Sequence, residues 1–306
     1  MNPTITLCPR SRARSFAAAC LFVLAAMLGL PDRAQAQAPF ATPEQAADAL
    51  IMALATSDRA AVTRVLGKDA KRILPLDDFS AGDRYAFLEK AHQSRTVKVD
   101  GQRAELAVGD DPWTLPIPIN EGKDRQWRFD LAAGREAMLV RRIGANELAT
   151  IQAALAYVDA QREYALADRN GNGMLDYAQK LISSPGKRDG LIWPLSLGDE
   201  SPLGEAFVPS RPGEGYHGYR FKVLTGQGPA AHGGARSYLI GKHMVTGFAL
   251  VAWPAHYGAT GVTSFIVNQD GQVFERDLGP NTAAVASAIQ RFDPVPGWQP
   301  VSPPPN

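Results

Sequence analysis

The sequence predicts an α+β fold in two parts, each built from helix followed by antiparallel sheet. Three observations carry this expectation. Helix-capping signals at Thr42-Pro43-Glu44-Gln45 give way to period-two alternation from Thr96 to Val108. A helical-period stripe of Leu148, Ile151, Leu155 and Val158 opens the second part. Alternation then resumes after Gly218, and an Asp270-Gly271 turn joins its last two strands.

The first residues read as an export signal. Arg10, Arg12 and Arg14 precede an apolar run from Phe16 to Leu30, Pro31 breaks it, and Ala34-Gln35-Ala36 offers the small residues a signal peptidase reads. Residues 1–36 are therefore expected to be removed, leaving Gln37 as the mature start and the protein periplasmic or secreted. About 15 apolar residues fall short of the ~20 a membrane span needs, so no stable membrane span is expected after cleavage. Both cysteines, Cys8 and Cys20, lie in this segment, so the mature chain must stand on hydrophobic burial without disulfides. Taking the four arginines and one aspartate of residues 1–36 from 32 basic and 31 acidic residues leaves 28 and 30. That near-neutral balance, with no basic cluster longer than two residues, argues against nucleic acid as a partner.

Residues 37–143 form the expected first domain. Thr42 caps a helix over about 43–55 with Pro43 at its first position and Gln45 completing the capping box. Ser57 is expected to cap a second helix that Gly67 ends, and Ser80 a third containing Tyr85, Phe87 and Leu88. Thr96–Val99, the turn Asp100-Gly101 and Gln102–Val108 read as a hairpin. Strands Trp113–Ile119 and Gln126–Asp130 follow, the first with prolines that suit an edge. This order resembles the cystatin-like and NTF2-like outlines, which host binding proteins and enzymes alike.

Residues 144–293 form the expected second domain. A helix over roughly 146–166 leads into a glycine-rich loop and a helix over Leu175–Ile182. Pro and Gly then crowd residues 185–218, a long irregular segment of the sort that often carries function. Strands are expected at Gly218–Leu224, Arg236–Ile240, Phe248–Trp253, Val262–Asn268 and Gln272–Arg276, then a helix over about 281–291. The Pro-rich tail from Pro294 to Asn306 is expected to be disordered. Long helix followed by sheet is also the outline of a pilin head.

The segments YALADRNGNGMLDYAQKLISSPGKRDGLIWP, GYHGYRFKVLTGQGPAAHGGARSYLI, FALVAWPAHYG and SFIVNQDGQVFERDLG resemble a secreted bacterial family, domain of unknown function 2950. The resemblance extends through WRFDLAAGREAMLVRRIGANEL at the domain junction and implies no catalytic residues.

The loop from Asp168 to Asp176 has the opening of a calcium loop. Such a site takes oxygens from positions 1, 3 and 5, a glycine at 6, a carbonyl at 7 and a bidentate Glu at 12. Asp168, Asn170, Asn172, Gly173 and Met174 occupy the first five of these places, and Asp176 stands at 9. Gln179 departs from the pattern at 12, so calcium is expected to bind weakly, and an Asn-Gly turn between helices explains the glycines equally well.

None of the five histidines has the spacing of a zinc helix. His217, among tyrosines and glycines, is the first candidate for an acid or base, against the plainer reading of a histidine bonded in a loop. The Gly226–Gly234 segment lacks the lysine of a phosphate loop and reads as a mobile loop. Loops at one end of a sheet collect binding sites, so Asp189, Trp193, His217, Tyr219 and His256 are expected to share one concave surface. The expected function is binding or scaffolding of an unknown envelope ligand or protein. The alternatives are an envelope hydrolase pairing His217 with Asp189 or Asp199, and an accessory of a pilin-like assembly.

Overall fold

The computed structural model describes residues 37–70, 81–111, 113–204 and 214–302. They fold into two compact units that divide between Gly134 and Arg135. The proposed leader 1–36 and the Ser80 cap lie outside the described residues.

In the first unit, α1 (Pro43–Ala55) begins as its sequence dictates, with the Thr42 side chain accepting from the Gln45 amide. It buries Ala46, Ala47, Leu50 and Ala53 on one face. The cap of α2 (Arg59–Leu66) is Asp58, not Ser57: its carboxylate accepts from the amides of Ala60 and Ala61 at 2.9 Å each. An ionised acceptor suits the positive end of a helix better than a hydroxyl. Gly67 ends α2 with φ +96°, and α3 spans Ala81–Gln93. The sheet contains β1 (Arg95–Asp100), β2 (Arg103–Val108), β4 (Ile119–Glu121) and β5 (Trp127–Phe129) in that order, with β3 (Trp113–Thr114) pairing β2. Prolines 116 and 118 cut the expected Trp113–Ile119 strand into β3 and β4, because a proline cannot donate to a ladder. Leu50, Leu66, Phe87, Leu106, Ile119 and Phe129 meet in the core.

The long helix α4 runs from Leu131 to Tyr164, starting well before the expected residue 146. Asp130 is the reason: its Oδ1 accepts from the amides of Ala132 and Ala133 at 3.0 Å and caps the helix there. Gly134 serves this start, since a Cβ on it would lie 2.9 Å from Ile117 Cγ1.

The second unit is organised around a sheet of order β14-β13-β12-β11-β6, all antiparallel. The strands are β6 (Tyr219–Leu224), β11 (Ala249–Pro254), β12 (Thr263–Asn268), β13 (Phe274–Asp277) and β14 (Gln299–Pro300). Short pairs β7 (Gly226–Gln227) with β8 (Arg236–Ser237), and β9 (Leu239–Ile240) with β10 (His243–Met244), lie outside it. Every residue of β11 is buried, the pattern of a central strand covered on both faces. Tyr157 of α4 donates its hydroxyl to the Ala249 carbonyl, and Lys222 of β6 donates to the carbonyls of Ser287 and Ile289 at the end of α5 (Thr282–Ala288). Burial pushes the Tyr157 hydroxyl well above its ordinary pKa, so it serves as a neutral donor.

Three expectations fail here for physical reasons. Leu175–Ile182 forms no helix, because its backbone is spent on other partners: Tyr177 donates to the Met244 carbonyl, and Ile182 bridges to Ile192. The described part of the tail is bound to the sheet: Gln299–Pro300 pairs with β13, Trp298 packs on the core, and Val301 donates to the Val273 carbonyl. The Gly226–Gly234 segment is pinned, with the fully buried Gln227 side chain donating to the carbonyls of His232 and Gly234 while Asp293 accepts from the Ala230 amide.

Candidate functional site

The second unit carries two adjoining cavities whose common wall is the segment from Glu214 to Phe221. Tyr216 and Tyr219 exchange two backbone hydrogen bonds of 2.9 Å, closing a two-residue hairpin turn over His217 and Gly218. Both central residues have positive φ, +46° at His217 and +72° at Gly218, as the primed turns of hairpins require. Glycine is needed at 218 for a second reason, since a Cβ there would sit 2.7 Å from Thr260 Cβ. The turn thus presses against the loop that follows β11, and the Ala255 amide donates to the Gly218 carbonyl.

That loop is held from α4. Asn146 donates to the Thr260 carbonyl at 2.8 Å, and one oxygen of Glu147 accepts from the amides of Val262 and Thr263 at 2.9 and 3.0 Å. The Tyr219 hydroxyl donates to the Thr263 carbonyl and lies 3.5 Å from Glu147. Burial and the neighbouring carboxylate push this hydroxyl far above its usual pKa, so Tyr219 is a locked neutral donor. Gly261 must lack a side chain because a Cβ would fall on the Tyr219 hydroxyl.

The polar cavity, about 380 Å³, is lined by Asn146, Glu214, His217, His256 and Thr260. The apolar one, about 370 Å³, lies beside it and shares Gly215. Tyr157, Ile182, Leu203, Tyr216, Phe221 and Trp253 are among its walls. The arrangement offers imidazole and amide groups next to an apolar slot, the usual composition of a small-ligand site.

Of the five residues expected on one surface, three line these cavities and two do not. His217 and His256 share the polar cavity, and Tyr219 lines the apolar one. Trp193 is packed into the core, its indole donating to the Asp199 carbonyl at 2.8 Å and the Arg169 and Arg188 guanidinium groups each 5.8 Å from its ring. Asp189 is committed to Lys180 Nζ at 2.7 Å and to the Ser184 amide and hydroxyl. Burial alone would raise its pKa, but those donors outweigh it and hold the carboxyl down to about 2. Asp199 pairs with Arg188, so neither aspartate of the expected hydrolase pair lines the His217 cavity. Asn146, Glu147 and Thr260 were not legible as site residues, because the first two lie more than a hundred positions from the loop they hold and match no motif.

The Asp168–Asp176 loop closes on itself. Asp168 accepts from the amides of Asn172 and Gly173 at 3.0 and 2.8 Å. Asn170 and Asn172 turn their carbonyl oxygens to the amides of Asn172 and Met174, and donate their side-chain nitrogens to the buried Asp176 at 2.9 and 2.7 Å. His243 Nδ1 lies 3.1 Å from Asp176 and ties the loop to β10. Gln179 donates to the Lys242 carbonyl, away from the loop. Among the described residues, no three or more His, Asp or Glu side chains are grouped to hold a metal ion. No described helix is long and apolar enough to cross a membrane.

No curated protein and no solved structure matches the chain. A family model, "Protein of unknown function (DUF2950)", matches residues 37–301. With nearly all of its described residues inside that match, the chain belongs to the DUF2950 family.

Proposed function

We propose that this is an exported envelope protein whose second unit binds a small ligand across the 216–219 turn, the ligand's apolar part in the Phe221 cavity and its polar part beside His217 and His256. The observation that carries this reading is the shared wall: one hairpin turn, with a histidine in the left-handed region, separates an apolar cavity from a polar one. A non-glycine residue held at positive φ is the kind of strain that clusters at ligand sites. Binding suits the geometry better than hydrolysis, since Asp189 and Asp199 are paired elsewhere. Assembly through α4 draws less support, because its exposed Val140, Leu148 and Leu155 are interrupted by Arg141, Arg142 and Gln152.

An anilinonaphthalene sulfonate dye, apolar with one charged group, is the probe. The folded protein should bind it with a rise in fluorescence that Phe221→Asp removes and His217→Ala weakens, with both variants shown to be folded by circular dichroism. Dye binding untouched by either change would sink the proposal. Export is supported by the leader-like residues 1–36 and by a family match that begins at residue 37. Terminal sequencing of the exported form should read Gln37 first; an intact Met1 in the cytosol would contradict it.

Calcium at the 168–176 loop belongs to the same proposal, as a stiffener of the second unit. The convergence of Asp168, Asn170, Asn172 and Asp176 supports it. Asn170 and Asn172 would have to turn their carbonyl oxygens inward, exchanging two amide donations to Asp176 for coordination. The Met174 carbonyl would complete the set as the position-7 ligand.

A further inference from the structure

The loop that carries the calcium pattern contains two Asn-Gly pairs, Asn170-Gly171 and Asn172-Gly173, and its hydrogen bonds treat them differently. We propose that Asn170 is a site of spontaneous deamidation in the folded protein, and that the fold protects Asn172. The inference concerns the loop closed by its own hydrogen bonds and does not rest on the ligand site proposed above.

The chemistry needs the amide nitrogen of the following residue as nucleophile. That nitrogen, having given up its proton, forms a bond to the asparagine Cγ. The Cγ–Nδ2 bond breaks and the nitrogen leaves as ammonia with the proton. Water then adds to either carbonyl of the cyclic imide and leaves aspartate or isoaspartate. Glycine as the following residue favours this route, because no Cβ obstructs the approach and the backbone can reach the required dihedrals.

Gly171 and Gly173 have similar backbones, with φ +71° and +81°, and every residue from Asn170 to Leu175 is exposed. The nucleophiles differ. The Gly173 amide donates to Asp168 Oδ2 at 2.8 Å, a charge-assisted bond, and the nearby carboxylate opposes formation of an amide anion. The Gly171 amide makes no hydrogen bond to any described residue. The electrophiles do not separate the two pairs, so the nucleophile decides. The Asn172 amide nitrogen is held by Asp176 Oδ2 at 2.7 Å and lies 3.3 Å from His243, and that of Asn170 donates to Asp176 Oδ1 at 2.9 Å, with the Tyr164 hydroxyl as a further partner of the Asn170 side chain. Reaction at Asn170 would replace its donation to Asp176 by a third carboxylate in the loop, so the modified loop is the more anionic one.

The test is to incubate the intact exported chain, folded, at mildly alkaline pH and to map the products by digestion and fragment-ion mass spectrometry. Both asparagines fall in the tryptic peptide from Asn170 to Lys180, which makes their rates directly comparable. Asn170 should react several times faster than Asn172 in the folded chain, and the two at similar rates in urea. Asp168→Ala, which frees the Gly173 amide, should bring Asn172 up towards the rate of Asn170. Equal rates in the folded chain, a faster Asn172, or retention of both amides under conditions where the unfolded chain loses them would each overturn the proposal.

Discussion

The loop at 168–176 and the turn at 214–219 bend the chain by the same device, residues in the left-handed region, yet they end in opposite situations. In the loop, the partners of Asp168 and Asp176 are mostly within six residues, and nearly every polar group is satisfied locally. In the turn, the supporting contacts come from α4 and from the loop after β11, with Asn146 and Glu147 reaching 114 to 116 residues along the chain. A locally satisfied loop has its carboxylates already engaged by its own amides. A turn propped from outside leaves two cavities, because backbone segments braced at their ends need not pack against each other in the middle. That difference makes the turn the better candidate for a ligand and the loop the better candidate for an ion or a staple.

The comparison is broken most directly at Glu147. Glu147→Ala leaves two backbone amides without their acceptor, and it should destabilise the protein by about 2–4 kcal/mol in urea unfolding. The same variant should lose dye binding in conditions where it remains folded. A loss below about 0.5 kcal/mol, the size of an ordinary surface change, would mean that the turn is not propped from α4.

Calcium probes the other side. If the loop takes the ion, the cation should stabilise the protein by ~1–3 kcal/mol at ten to a hundred times its dissociation constant, and Asp168→Ala should erase the response. Identical melting curves in chelator and in millimolar calcium would leave the loop as a staple closed by its own amides.

A smaller effect sharpens the contrast between Asp189 and the site. Its folded pKa of about 2 lies below the ordinary 3.8, so its stabilisation is present above pH 4 and is lost as pH falls through the folded value. Asp189→Asn should therefore cost about 1 kcal/mol at neutral pH, after solvent screening of the half-exposed Lys180, and progressively less as pH falls through about 2. Dye binding should not change. Weaker binding in this variant would return Asp189 to the site.

The smallest expected effect is at His217. Asparagine followed by glycine is the preferred pair for a primed turn, so His217→Asn should leave stability unchanged or raise it by about 0.5 kcal/mol while weakening the ligand. A clear loss of stability would show that the imidazole is a structural group rather than one held in place for binding.

Much of the local architecture was legible before any contact was known. Thr42-Pro43, Gly67, Asp100-Gly101 and Asp270-Gly271 each determine their own turn or cap, because the groups they satisfy are within a few residues. Errors arose where a distant partner competed. The Leu175–Ile182 stretch gave its backbone to Met244 and Ile192 rather than to a helix, and the tail found an edge at β13 instead of solvent.

The candidate site divides along the same line. His217, Tyr219 and His256 drew notice through their aromatic and glycine surroundings, and the structure places all three on the walls of the two cavities. Asp189 and Trp193 drew notice on the same grounds and are bound to other residues. By itself, the sequence determined the α+β class, most turns and the family, since these depend on periodicity and on interactions among near neighbours. Only the tertiary structure decided which loops enclose space. That depends on side chains such as Asn146 and Glu147, whose hydrogen-bonding capacity is plain in the chain but whose partners are set by how α4 packs on the sheet.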